Sequence, residues 1–178
     1  MPERAPTRYI DEGFSSPGAV VSPSRAARRP LDEAELFWVG TFQPDQGPHV
    51  TPLSAVWFDG SAYFCTGRGE RKAENVRLNS HCALITGSNT LVILDLVLEG
   101  DASEVTESER RHVADCFESK YGAHFVAPEG TWSGLGDAMR NGDGVLCQVA
   151  VSRVFGSKKA VHSVKLAGIS REAPWQEL

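Results

Sequence analysis

The sequence predicts a mainly β fold: a split antiparallel β-barrel with a few peripheral helices. Two observations carry that reading. Several β-rich runs follow one another through short turns, as hairpins do. Strand–helix alternation is too sparse for a doubly wound sheet, and Gly67-x-Gly69 lacks the third glycine of a dinucleotide fingerprint. The 178 residues suffice for one domain with a real core. We divide the chain into a leader over residues 1–30, expected to be mobile, and a single barrel domain with a C-terminal tail over residues 31–178.

After the leader, rich in Arg, Pro, Ser and Ala, residues 31–38 read as a short helix, with Asp32 as its cap and Glu35 completing a capping box. A first strand follows over residues 39–43, then a turn at Pro44-Asp45-Gln46-Gly47. The run from His49 to Trp57 is the central strand. Alternation puts Leu53, Ala55 and Trp57 on its core face, and Pro52 marks an edge or a bulge. Asp59-Gly60 is a hairpin signal that leads into a strand over residues 62–66. A short helix after Arg71 and a strand over residues 81–86 come next. Residues 91–105 read as the longest strand, bent or bulged at Gly100. Thr106-Glu107-Ser108-Glu109 is a capping box, and its helix sets Val113, Phe117 and Tyr121 on one face. A long Gly-containing connection spans residues 122–143, and residues 145–155 are the last clear strand.

Composition excludes several classes. The net charge of -5 argues against a general nucleic-acid binder. No apolar run approaches the roughly 20 residues of a membrane span. Arg28-Arg29 is followed by Pro30-Leu31-Asp32-Glu33 rather than by an apolar segment, so it is not a twin-arginine signal, and a cytoplasmic location is expected. The four cysteines form no paired spacing; buried free thiols are expected and zinc is not. His49 lacks a positioned partner and reads as a strand-end residue rather than a catalytic one; His81, His112, His124 and His162 are scattered. No serine lies in a Gly-x-Ser-x-Gly setting.

The specific signal is the turn Thr66-Gly67-Arg68-Gly69-Glu70-Arg71-Lys72. Glycines let the backbone approach a ligand, and a helix start favours an anion. Arg71 and Lys72 add two cations there, and Thr66 adds a hydroxyl, in an otherwise acidic chain. The alternative is a solvated helix start whose charges meet only water.

The pattern Pro-His-Val-Thr-Pro at residues 48–52, an aromatic strand ending in Cys65-Thr66-Gly67, and Arg71-Lys72-Ala73-x-Asn75 resembles the pyridoxamine 5'-phosphate oxidase-like superfamily of FMN-binding split barrels, which includes flavin and deazaflavin oxidoreductases. The resemblance covers residues 31–156. It implies FMN, or the deazaflavin coenzyme F420, as cofactor, with FMN preferred. It also implies a homodimer with the cofactor at the subunit interface. Val50, Thr51 and Pro52 would lie against the isoalloxazine ring, and Thr66, Arg71 and Lys72 would hold the phosphate. His49 and Gly67 complete the set of cofactor-binding residues. Hydride chemistry would belong to the cofactor, with no dedicated catalytic acid or base expected in the chain. The chain departs from the family pattern in its tail. Residues 169–175 do not match the basic, aromatic substrate segment of the B6 oxidases, and residues 161–166 do not match the aromatic-arginine strand of the deazaflavin branch. Two further readings follow from that loss: a non-catalytic protein that stores or senses flavin or haem, and a barrel without cofactor that serves as an interaction protein.

Overall fold

A computed structural model describes residues 25–43, 47–86, 94–125 and 134–158. In chain order the elements are α1 (Arg25–Glu33), β1 (Phe37–Gln43), β2 (Gly47–Leu53), β3 (Ala55–Phe58), β4 (Ser61–Thr66), α2 (Arg71–Leu78), β5 (His81–Thr86), β6 (Leu94–Glu104), α3 (Glu107–Tyr121), α4 (Leu135–Arg140) and β7 (Val145–Lys158). The strands form a seven-stranded sheet in the order β2-β1-β5-β6-β7-β4-β3, with antiparallel ladders throughout.

The two end strands of that sheet are consecutive in the chain. Ser54 alone separates β2 from β3, yet no ladder joins them. The sheet must therefore curl until its edges nearly meet, which makes a split barrel. Pro52 is tolerated because β2 is an edge strand, where a missing N–H goes unnoticed.

The hairpin between β3 and β4 turns on Asp59 and Gly60, with φ of 45° and 73°. Positive φ at both central residues matches the right-handed twist of the strands. Between β6 and β7 the register slips at Glu99/Gly100, leaving Ser152 without an opposite residue. The Ser152 hydroxyl donates to the Glu99 carbonyl at 3.2 Å. A Cβ on Gly100 would lie 2.3 Å from the Ala150 carbonyl oxygen, so the close approach requires glycine.

Two apolar clusters hold the elements together. Inside the barrel, Phe37, Val39, Phe64, Leu84, Leu96, Leu98 and Val149 pack under α1 and α2. On the other face of β3, β4 and β7, Val56, Tyr63 and Leu146 pack against Val113, Phe117 and Tyr121 of α3 and Met139 of α4. The Thr106-x-x-Glu109 box forms as expected, with the Glu109 carboxylate accepting from the Thr106 N–H at 3.0 Å.

The expected helix over residues 31–38 is corrected. Helix α1 runs from Arg25 to Glu33, so it crosses residue 30, and Asp32 and Glu35 cap nothing. Asp32 and Glu33 instead pair with Arg28 and Arg29 one turn back, at 2.7 and 2.8 Å. Ala27 and Leu31 are buried, and the aromatic pair after the helix obeys a period of two: Phe37 faces the core and Trp38 faces out. Among the described residues β7 is the longest strand, and β6 covers Leu94–Glu104; residues 91–93 of the strand expected over 91–105 lie outside the described residues. The connection over residues 122–143 contains α4. Residues 1–24 of the leader and the tail beyond residue 158 lie outside the described residues.

All four cysteines are free thiols. Burial pushes Cys82 and Cys147 up to about 12, and raises Cys65 and Cys116 as well. Unfolded thiols titrate near 8.5. The stabilisation from keeping these protons is complete below that pH and is lost as pH rises towards 12. Lys120 acts the other way: burial lowers its pKa to about 8, so folding gains from it as pH climbs to the ordinary lysine value. The thiols outnumber the amine, so stability should fall above pH 9, by roughly 1.4 kcal/mol per pH unit for each buried thiol titrating in the unfolded chain. Urea denaturation at pH 8 and pH 10 reads this directly. Cys82→Ala combined with Cys147→Ala should flatten the fall; an unchanged slope would show that the thiols are not its source.

Candidate functional site

The site is built where β4 ends. Thr66 closes the ladder to β7 opposite Val145 and is 4% exposed. The chain then turns tightly: the Glu70 N–H donates to the Gly67 carbonyl at 3.0 Å. Glu70 is the residue before the first turn of α2, and its carbonyl accepts from Ala73 and Glu74. The first two amides of the helix, those of Arg71 and Lys72, have no acceptor within it.

The side chains converge on one point. The Glu70 carboxylate accepts from the Gly67 N–H at 3.0 Å and from Lys72 Nζ. Lys72 holds the Glu70 carboxyl below the usual carboxylate range against the opposing effect of burial, and the Gly67 amide and the Thr66 hydroxyl add to it. Thr66 Oγ1 is buried and makes no well-formed hydrogen bond. Arg71 is exposed at the rim. Arg68 points away and ties the turn to the Gly142 carbonyl at 3.1 Å.

The structure thus brings Thr66, Gly67 and Lys72 together and places Arg71 beside them. It divides the other expected group. On β2, Val50 and Pro52 face outward and are exposed, while His49 and Thr51 face inward. His49 Nδ1 and Thr51 Oγ1 are buried without hydrogen-bond partners.

A buried polar chain that sequence reasoning missed connects the two groups. Asn75 of α2, 4% exposed, donates to Thr41 Oγ1 at 2.9 Å. Thr41 lies on β1 opposite His49 and reaches its carbonyl at 3.4 Å. The signal was available in part: an asparagine falls on the buried side of a short helix, where apolar residues are expected.

Outward from β1 and β2 lies an apolar face. Following the ladders, Pro52, Trp38, Ile85, Val97 and Phe155 form one row across five strands. Trp38, Phe42 and Val50 on this side are 40%, 47% and 53% exposed.

A separate groove of about 630 Å³ lies between the start of α3 and the end of α4, lined by Glu107, Arg110, Arg111, His112, Arg140 and Asn141. Two of its three arginines are paired: Arg110 with Glu104 and Glu107, and Arg140 with Asp115 and Asp137. None of the expected cofactor residues lines it. Among the described residues no group of three or more His, Cys, Asp or Glu is placed to hold a metal, and no helix is long and apolar enough to cross a membrane.

The Thr66–Lys72 donors suit a phosphate monoester: a buried hydroxyl, a turn amide and a lysine gather around the Glu70 carboxylate at the start of a helix. No curated protein matches the chain. Solved structures do, three of them as follows. A putative pyridoxamine 5'-phosphate oxidase from Listeria innocua is 19% identical, with a TM-score of 0.54 over 72% of this chain and 92% of that one. An FAD-binding protein from Mesorhizobium loti is 15% identical, with a TM-score of 0.56 over 76% and 94%. A heme binding protein from Mycobacterium smegmatis is 14% identical, with a TM-score of 0.60 over 84% of this chain and 60% of that one. The sequence model described as pyridoxamine 5'-phosphate oxidase matches residues 24–157, three quarters of the chain. On that match, and with the split barrel that these structures share, the chain belongs to the pyridoxamine 5'-phosphate oxidase family.

Proposed function

We propose that the protein is a flavin-dependent oxidoreductase that binds FMN, with the deazaflavin coenzyme F420 as the alternative cofactor, and transfers hydride to or from a small molecule. The observation that carries the reading is the convergence of Thr66, Gly67 and Lys72 at the start of α2 in a chain of this family. Arg71 completes the grip from the rim. When bound, the flavin supplies the hydride chemistry; the chain supplies position and charge. Val50 and Pro52 give the ring an apolar surface to lie on, and His49 and Thr51, whose side chains face inward, would meet it through the backbone of the same strand.

The outer face that runs from Pro52 to Phe155 is the surface for a second copy of this chain, because so continuous an apolar row is unusual on a monomer. The protein works in the cytoplasm on this reading. A carrier of flavin or haem without turnover is the second reading, supported by the family's fold in a heme binding protein from Mycobacterium smegmatis.

The test is an absorbance spectrum of the purified protein with mass spectrometry of the released ligand, and light scattering on the same sample. Flavin or deazaflavin in a dimer, reduced by a hydride donor, is the expected result. A Soret band would turn the reading to haem, and colourless protein without affinity for FMN would overturn it.

A further inference from the structure

We propose that Glu70 is an internal stand-in for the phosphate: its carboxylate fills the anion cradle and must swing out before a phosphate can enter. The inference rests on the cofactor-phosphate reading of that turn. Glu70 is an odd residue for its position, since helix starts favour Ser, Thr, Asp or Asn, whose side chains cap the first amides. Glu70 does not cap; its side chain makes no hydrogen bond to the helix amides that follow. It reaches back instead to the two donors best placed for a ligand, the Gly67 N–H and Lys72 Nζ. Space at the turn fits this arrangement: a Cβ on Gly67 would sit 2.9 Å from Glu70 Oε1. The third donor, the Thr66 hydroxyl, is buried beside the same carboxylate and helps to hold it ionised, without a well-formed hydrogen bond of its own. A carboxylate has two oxygens in a plane; a phosphate has three and can meet all three donors.

Two anions cannot share one cradle, because like charges in contact repel strongly. The Glu70 side chain is 52% exposed, so it can rotate into solvent without unfolding anything. Releasing it breaks a surface ion pair and one amide hydrogen bond, each of modest worth. Glu70 therefore lowers affinity for every phosphate ligand by a modest factor, and it keeps Lys72 and Gly67 from binding weaker anions.

Calorimetric titration of wild type, Glu70→Gln and Glu70→Ala with FMN, riboflavin and inorganic phosphate tests this. FMN and phosphate should bind the variants about five- to tenfold more tightly, while riboflavin, which lacks the phosphate, should bind all three proteins equally. Unchanged or weaker FMN and phosphate binding by both variants would overturn the inference. Arg71→Ala with Lys72→Ala separates the two claims: loss of FMN binding in that variant, with no gain in the Glu70 variants, sinks the stand-in and leaves the phosphate grip standing. Tighter inorganic phosphate in Glu70→Gln without any FMN binding sinks the flavin reading and leaves the stand-in.

Discussion

Arg71→Ala combined with Lys72→Ala should abolish copurification of the flavin and leave the fold intact. Each cation offers a charge-assisted hydrogen bond to the phosphate, worth about 1.5–3 kcal/mol. Losing one should weaken binding roughly ten- to a hundredfold, and losing both should multiply the factors. Stability should fall only modestly. Arg71 is exposed and Glu70 is half in solvent, so the ion pair contributes at most about 1 kcal/mol, and the Lys72 stem, whose side chain is 11% exposed, adds its packing. Isothermal titration with FMN and a urea melt decide between outcomes. Equal FMN affinity in wild type and variant would refute the grip and move the phosphate site to the Lys158-Lys159 pair of the tail.

Tyr121→Phe should destabilise the fold by about 1–3 kcal/mol, and Tyr121→Ala by more. The reason lies at the point where the chain passes from one edge of the sheet to the other. Ala55 opens β3, an edge strand, so its backbone groups need a partner outside the sheet. The Tyr121 hydroxyl serves both: it accepts from the Ala55 N–H at 3.2 Å and donates to the Ala55 carbonyl at 2.8 Å. Lys120 backs it up, donating to Ala55 and to the Leu31 carbonyl at 3.1 and 3.0 Å. In Tyr121→Phe the carbonyl keeps Lys120 but the buried N–H is left without a partner, which carries the full desolvation penalty. Alanine also removes the ring from the cluster with Phe117 and Val113, where truncating an aromatic costs about 3–5 kcal/mol. Burial holds the Tyr121 hydroxyl up to about 12, so the tie persists at any ordinary pH. Urea denaturation of the two variants measures the ordering; a Tyr121→Phe protein as stable as wild type would show that the hydroxyl is not the tie.

Much of the fold was legible because its signals are local. Asp59-Gly60 specified a turn, Thr106-x-x-Glu109 a helix start, and Gly100 a bulge, each through two or three neighbouring residues. The start of the chain was misread because Leu36-Phe37-Trp38 fits either a helix end or a strand start, and only the burial of Phe37 inside the barrel decides. Proline in the middle of α1 hid that helix, and α4, six residues long, was too short to show a period. In the site, Thr66, Gly67 and Lys72 were legible as a glycine-flanked basic turn. Glu70 was read only as part of that turn, because nothing in its spacing says that its side chain reaches backwards. Asn75 was legible only as part of the family pattern; its contact with Thr41 escaped because the two meet across 34 residues, which happens only once the barrel has closed.

The most direct test of the phosphate site is a crystal structure of the protein with FMN. The phosphate is expected within hydrogen-bond distance of Thr66 Oγ1, the Gly67 N–H and Lys72 Nζ, with the Glu70 carboxylate displaced into solvent. A phosphate bound elsewhere, with Glu70 still on Lys72 and Gly67, would contradict this placement.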